Sequence, residues 1–452
     1  MYRFILSIAL ALAAAVLPGL AHAAKHFVRP GATGTQTGAD WTTAWAKLPA
    51  TLVRGDIYYL AAGNHGSHLF NDAASGSLNI TVRKATVADH GTAVGWSSAY
   101  ANGPATFTQW QIYASYYVFD GQQRNADWWL GTTSQYGIRV AGGGPVRLDN
   151  GAGVGANNLT FRYVDFQGGG RDTGYGDDVI YGLTGNSNLT FQYCALHDSD
   201  RTIFLMRGNW RNLVVDHSYL ARNTSTPASH GEMLSMTART GVVWSNNVME
   251  DIEGTAFIAG LNGGTAANWQ IYGNVAFHSA AYIADTGRKP GHNFGVSGFI
   301  FIANDVSNNN VGNNFVVANN TFADIQGTWS GVIIQRGSGN TVFNNVWYAS
   351  TRTNNSFGGT ISNNWYYNTV QDSDTSATKT VCTSGCDIFV DHAGRNFRLK
   401  SAIGGGVALA PPSTVDADGT PRGVDTAWDR GAYEFGGAVV SPLAHPAYLR
   451  AR

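Results

Sequence analysis

Asn314-Phe-Val-Val-Ala-Asn-Asn-Thr-Phe322 decides the fold. It reads as a short β-favouring segment, an asparagine pair and the opening of a second apolar segment. The same unit recurs as Asn188-Leu-Thr-Phe-Gln-Tyr-Cys-Ala-Leu196, Asn212-Leu-Val-Val-Asp-His-Ser-Tyr-Leu220, Gly241-Val-Val-Trp-Ser-Asn-Asn-Val-Met249, Thr341-Val-Phe-Asn-Asn-Val-Trp347 and Ile361-Ser-Asn-Asn-Trp-Tyr366. One column runs through Val164, Cys194, Ser218, Asn247, Asn274, Asn320, Asn345 and Asn364, at spacings of 30, 24, 29, 27, 46, 25 and 19 residues. A fixed coil plus a loop of variable length produces such spacing. Segments of this length between Gly, Asn and Asp turns predict a parallel β-solenoid, in which each coil buries its inner face only against its neighbours. Asparagine tolerates the left-handed backbone that a sharp bend needs, and stacked asparagines can form hydrogen-bonded ladders. The longest gap predicts an insertion around Asp285 to Ser297. There is no leucine skeleton for a leucine-rich repeat and no sustained helical period. A β-propeller would need longer four-strand units.

Composition agrees. The chain has 452 residues, of which 44% are hydrophobic, 12% aromatic and only 13% charged, with 56 glycines. Low charge with many apolar residues excludes a disordered chain. A formal net charge of −1 gives no electrostatic basis for binding nucleic acid. At the N-terminus, Arg3, the apolar run Phe4 to Leu17 and Ala21-His22-Ala23 read as a secretory signal cleaved after Ala23. No later run predicts membrane insertion. The expectation is a secreted or periplasmic monomer. Its single β-helix domain spans 24–436, with cap and first coils over 24–140, main coils over 141–370, a closing segment over 371–436 and a tail over 437–452. Cys382 and Cys386, in Cys-Thr-Ser-Gly-Cys, predict a local disulfide. Zinc is the alternative, without a second ligand pair. Cys194 reads as a buried thiol. Apolar residues at 41, 44, 45, 48 and 52 predict a short N-terminal capping helix.

Two stretches then carry a resemblance. Phe27-Val-Arg-Pro-Gly31, Trp41 and Gly55-Asp-Ile-Tyr-Tyr-Leu-Ala-Ala-Gly63 open the chain. Asp416-Ala-Asp-Gly-Thr-Pro-Arg422 and Asp429-Arg-Gly-Ala-Tyr-Glu-Phe435 close it. With the repeats between, the chain resembles the pectate-lyase-like, right-handed parallel β-helix superfamily. The resemblance implies the fold. Members include lyases, hydrolases, epimerases and adhesins, so activity has to come from residues.

Four successive second strands align as Asp177-Asp-Val-Ile-Tyr-Gly-Leu183, Asp200-Arg-Thr-Ile-Phe-Leu-Met206, His230-Gly-Glu-Met-Leu-Ser-Met236 and Glu253-Gly-Thr-Ala-Phe-Ile-Ala259. Asp177, Asp200, His230 and Glu253 form one column. Alternation adds Val179, Thr202, Glu232 and Thr255, and then Tyr181, Phe204, Leu234 and Phe257, to the same face. Glu232 would be costly to bury unpaired, so this face is read as outward and Ile180, Ile203, Met233 and Ala256 as the inner ladder. Aromatic rings beside acids suit a polysaccharide. In a lyase, His230 is the base. Arg201, Arg207 or Arg239 meets a uronate carboxylate, Tyr181, Phe204 and Phe257 bind sugar rings, and Asp177, Asp178, Asp200, Glu232 and Glu253 could hold Ca²⁺. In a glycoside hydrolase, Asp200 and Glu253, two coils apart, suit inversion, and Asp177 with Asp200 the shorter retaining separation. A non-catalytic carbohydrate-binding β-helix is the third reading. The lyase is preferred because arginines and a histidine interleave with the acids; no organic cofactor is implied.

Family motifs leave this open. Asp216 and His217 match part of the Val-Trp-Ile-Asp-His segment of pectate lyases, but the Trp and an accompanying Arg-x-Pro-x-x-Arg are absent, and the pair reads as turn-holding. Gly176-Asp-Asp and Ser229-His-Gly are similar to polygalacturonase elements at a different coil spacing. Asp198, Asp251 and Asp324 read as turn-capping acids. Arg288, Lys289 and His292 lie on the insertion, and Trp128-Trp129 reads as an early-coil core pair or a sugar platform.

Overall fold

The computed structural model describes residues 23–151, 155–170, 177–208, 210–224, 231–236, 240–259, 264–285, 299–302, 310–326, 331–351, 353, 355–370, 374–410 and 413–436. Residues 1–22, residues 437–452 and the segment carrying Arg288, Lys289 and His292 lie outside them. The chain is a right-handed parallel β-helix. One coil shows the plan. Ser187–Gln192 runs along the first sheet, the chain bends at Tyr193, Ala195–Ser199 and Thr202–Met206 follow around a corner in the second sheet, and Arg211–Asp216 returns to the first. Every strand pair in these two sheets is parallel: Leu189 lies on Leu213, Leu213 on Val242, Leu196 on Leu220 and Leu220 on Met249.

Alternation supplies the core. Phe119, Phe161 and Phe191 stack coil on coil at 5.1 and 4.6 Å between ring centroids. Phe166, Leu196, Leu220 and Met249 face them from the second sheet. Burying each large side chain stabilises by about 2–3 kcal/mol, and ring stacking adds about 1 kcal/mol.

The asparagine column forms the ladder expected of it. Asn247 Nδ2 donates to Asn274 Oδ1 at 3.0 Å, Asn274 to Asn320 at 2.9 Å, Asn320 to Asn345 at 3.0 Å and Asn345 to Asn364 at 3.0 Å. Each Oδ1 also accepts the backbone N–H of the coil before. The first member of each pair takes the bend: Asn246, Asn319, Asn344 and Asn363 all have φ between 51 and 57°. Asp374 ends the ladder, accepting from Asn364 and from the Tyr366 hydroxyl.

Three features depart from or extend the expectations. Residues 41–52 form turns and a single bridge from Val28 to Trp45 rather than a capping helix. Trp41 packs on Phe27, and Asp40 accepts from the Thr42 and Thr43 amides, so the apolar spacing serves a compact turn. The α-helix among the described residues is Ala280–Ala284, N-capped by Ser279. Cys382 and Cys386 are bonded, with Cα atoms 5.9 Å apart, and Cys194 is buried, its thiol pushed up to about 12 by desolvation.

The third feature is a second core outside the solenoid. The outward positions Ala195, Tyr219, Val248, Val275, Phe277, Val346, Tyr348 and Trp365 are buried beneath Phe389, Phe397, Leu399 and Tyr433. The closing segment therefore folds back along the second sheet. Asn344 bonds Val407 both ways, Gly431 N–H donates to Asn344 O, Arg395 meets Glu250, and Arg398 lies over Trp129 at 5.0 Å. Trp128 is part of this outer core rather than a sugar platform. A parallel sheet covered on both faces needs apolar residues at both parities.

Candidate active site at an acidic corner

The corner between the two strands of the second sheet brings most of the singled-out residues together. Asp177 and Asp200 sit on adjacent coils and hold each other: Asp177 N–H donates to Asp200 Oδ1 at 2.8 Å, and Asp200 N–H to Asp177 Oδ1 at 3.2 Å. Gly169 N–H donates to Asp177 Oδ2 at 2.7 Å. Burial, then a hydrogen bond with the Asp200 carboxyl, raises the Asp177 pKa above the ordinary aspartate value. Two carboxyls in contact disfavour double ionisation, which is the direction of the Asp177 shift. Ser199 fixes the corner, donating to Asp177 O at 2.7 Å and accepting from Arg201 N–H at 3.2 Å.

Asp178 lies behind this pair. Arg201 grips its carboxylate through Nε, at 2.9 Å, and through Nη2. Burial raises the Asp178 pKa, Arg201 opposes that, and the charge of Glu232 adds to it. Arg201 is about a third exposed, so part of its guanidinium reaches the surface beside Asp177 and Tyr181. Asp200 and Glu253 are fully buried and Glu232 nearly so. Arg207 follows the strand Thr202–Met206 and is half-buried. His230 and Arg239 lie outside the described residues.

Two expectations about this face are corrected. Phe204 and Phe257 are buried inside the solenoid, edge-on to Trp244 at 5.7 and 5.0 Å, rather than on the outward face. The first coil is also shifted by one residue: Ile180, not Tyr181, lies on Phe204, in the column that continues to Leu234 and Phe257. Tyr181 is on the opposite parity, on Leu205, and remains partly exposed. Ile203, Met233 and Ala256 are buried as well, in line with Val179. Both parities are apolar here, so alternation alone does not choose between them. Glu232 misled because it precedes the strand Leu234–Met236, in the irregular corner where the pleat no longer governs direction.

The hydrolase separations also change. Asp177 and Asp200 are in hydrogen-bond contact, closer than a retaining pair stands. Asp178 is committed to Arg201, Asp177 accepts backbone amides, and among the described residues no three His, Cys, Asp or Glu side chains gather as metal ligands do.

Arg147 is a residue that alignment of the later coils missed. It lies on Tyr181 in register, its guanidinium 4.7 Å from the ring centroid. The signal was present in the pairing of Val146-Arg147 with Ile180-Tyr181, one coil before the acids begin.

A second buried cluster lies on the neighbouring strands. His197 Nε2 meets Asp165 at 2.7 Å and Nδ1 meets Asp198 at 2.7 Å, and Arg222 grips Asp198 at 2.6 Å. Burial disfavours the charged ring, but the two carboxylates outweigh it and raise the His197 pKa. Tyr219 donates to Glu250 at 2.6 Å, and Arg395 of the closing segment meets Glu250 at 2.8 Å. Asp198, Asp251 and Asp324 all have positive φ; they bind His197 and Arg222, Ser279, and His392 respectively. Asp216 and His217 hold the bend: His217 has φ of 47°, and Asp216, its pKa lowered to about 2, accepts from Ser245 at 2.8 Å. Burial works against that lowering, and the His217 charge and hydrogen bonds prevail.

No family model matches the chain, and no curated protein matches it. Solved structures of similar shape include pectate lyase Pel9A, at 15% identity over 91% of this chain and 96% of that one, TM-score 0.46. The PL6 family alginate lyase AlyGC is 11% identical over 79% of this chain and 53% of that one, TM-score 0.35. A mannuronic acid specific family 6 lyase from human gut microbiota is 9% identical over 74% and 87%, TM-score 0.33. No helix among the described residues is long and apolar enough to cross a membrane.

Proposed function

We propose that the protein is a secreted polysaccharide lyase that cleaves a uronate-containing glycan by β-elimination at the acidic corner. The observation that carries the reading is the contact between the Asp177 and Asp200 carboxyls beside the partly exposed Arg201. Arg201, held in plane by Asp178, meets the uronate carboxylate and makes the adjacent ring proton more acidic. A base removes that proton, the electron pair moves to form the double bond, and the Asp177–Asp200 pair gives its proton to the departing glycosidic oxygen. His230 is our candidate base on its place in the sequence and its near-neutral pKa. Tyr181 packs against the sugar, and Arg207 and Arg239 are reserved for flanking acid groups. Glu232 and Glu253 set the field around the pair rather than react.

Incubation with a panel of polysaccharides, following unsaturated-uronate absorbance and reducing ends together, tests the reading. New absorbance with new reducing ends supports it. Reducing ends alone would assign a hydrolase, which the raised pKa of Asp177 would serve as general acid. Retention of a glycan without turnover would make this a binding module. EDTA treatment tests whether a cation takes part.

A further inference from the structure

The outer face of the sheet carrying the acidic corner has one column open on its N-terminal side. Gln111, Arg147, Tyr181, Leu205, Ser235 and Ile258 stack in register from coil to coil. Leu205, Ser235 and Ile258 are buried, whereas Arg147 is exposed and Gln111 and Tyr181 are partly so. Arg147 has no carboxylate partner among the described residues. Arg139, Arg201, Arg222, Arg395 and Arg398 each have one. Its guanidinium lies over the Tyr181 ring, 4.7 Å away, which holds the plane of the group while the exposed side chain keeps donors toward solvent. A guanidinium is always charged and matches a carboxylate in a two-point fork. In register Arg147 lies two coils from Leu205, and Arg201 lies four residues before Leu205 at the corner, so strand rise and coil spacing set the two roughly 16 Å apart.

We propose that Arg147, seated on Tyr181, binds the carboxylate of a second acidic sugar and makes the protein selective for chains that carry acid groups on more than one residue. This rests on the lyase reading of the corner and adds a subsite to it. Gln111, one coil further on, offers an amide to the next sugar. The site selects acid groups spaced along an extended chain, because Arg147 lies on the strand Val146–Arg147 and Arg201 at the corner before Thr202–Met206.

The test uses the full-length protein and Arg147→Gln and Arg147→Lys variants; the side chain is exposed, so both should fold. Kinetics and affinity electrophoresis are run on a polyuronate and on the same polymer with its carboxyls esterified. Arg147→Gln should raise KM at least tenfold on the free polyuronate, leave kcat within twofold, and lose gel retention. On the esterified polymer it should match the wild type. Arg147→Lys should recover only part of the loss, since an ammonium has no fork. An unchanged KM and retention in Arg147→Gln, or an equal loss on the esterified polymer, would overturn the subsite while leaving the lyase reading intact. Retention that depends on Arg147 in a wild type without turnover would sink the lyase reading and keep the subsite. No retention of any acidic glycan by the wild type would overturn the subsite.

Discussion

At the scale of single residues, two kinds of polar group are buried for different ends. Asn320 is satisfied on every side. Its Oδ1 accepts the Asn274 amide and backbone N–H, and its Nδ2 donates to Asn345 Oδ1 and to Ile271 O. Asn320→Leu keeps the volume but leaves those partners unpaired, each at about 1–3 kcal/mol. The expected loss is about 4 kcal/mol, read as a lowered urea midpoint. Asp177 and Asp200 accept backbone N–H groups and also meet each other, a contact between two carboxyls that is costly for stability and useful for chemistry. Asp177→Asn and Asp200→Asn should each lower turnover at least about 100-fold, the usual contribution of a placed general acid, with unchanged circular dichroism. The pH profile follows from the sign of the shift. The Asp177 pKa is raised, so the pair keeps its proton above the ordinary carboxyl range, and rate should fall as pH rises through that raised value. A rate that keeps rising through that range would rule out the pair as the acid.

At the scale of strands and turns, the His197 cluster gives a prediction of opposite character. A histidine whose folded pKa is raised adds stability fully below its unfolded pKa of about 6.5 and loses it as pH rises through the folded value. Removing it leaves Asp165 and Asp198 buried with less compensation. His197→Gln should therefore cost about 3 kcal/mol at pH 6, and the gap to wild type should narrow by pH 9, measured by denaturant midpoints at each pH. A gap that widens with pH would mean the ring is neutral in the folded protein. Strand existence and the asparagine turns were legible in the sequence because they repeat: the column from Cys194 to Asn364 could be followed by eye. The direction of Phe204 was not legible, because Ile203, Phe204, Leu205 and Met206 are all buried and a uniform apolar run has no phase. The acids were found because a chain with so few charges puts several at one corner. Their pairing was not, since the contact of Asp177 with Asp200 depends on a corner where the regular pleat breaks.

At the scale of the whole molecule, the closing segment covers the outer face of the second sheet. The second sheet is apolar on both faces, as Val275-Ala-Phe277, Val346-Trp-Tyr348 and Trp365-Tyr-Tyr367 already hint: three consecutive apolar residues cannot all face one core. The covering partner was not legible, because it comes from a segment more than a hundred residues beyond much of what it covers. Phe397 packs on Phe277 at 5.2 Å, and Thr321 Oγ1 accepts from Ala432 N–H. The Cys382–Cys386 bond ties the strand Thr380–Cys382 to the first residues of this cover. Closing so short a loop constrains the unfolded chain by about 2 kcal/mol. Reduction should lower the unfolding free energy, read from denaturant curves, by that amount without exposing the outer core. Truncation after Lys379 should do far more. It strips Phe389, Phe397, Leu399 and Tyr433 from Tyr219, Phe277 and Trp365, leaving a contiguous apolar surface of a kind that soluble monomers seldom expose. Light scattering and ANS fluorescence should both rise, and Phe277→Asp in the full chain should mimic the effect in part. A truncated chain that stays monomeric and dark to ANS would mean the solenoid stands without its cover, and that the fold-back serves the surface it hides rather than the stability of the coils.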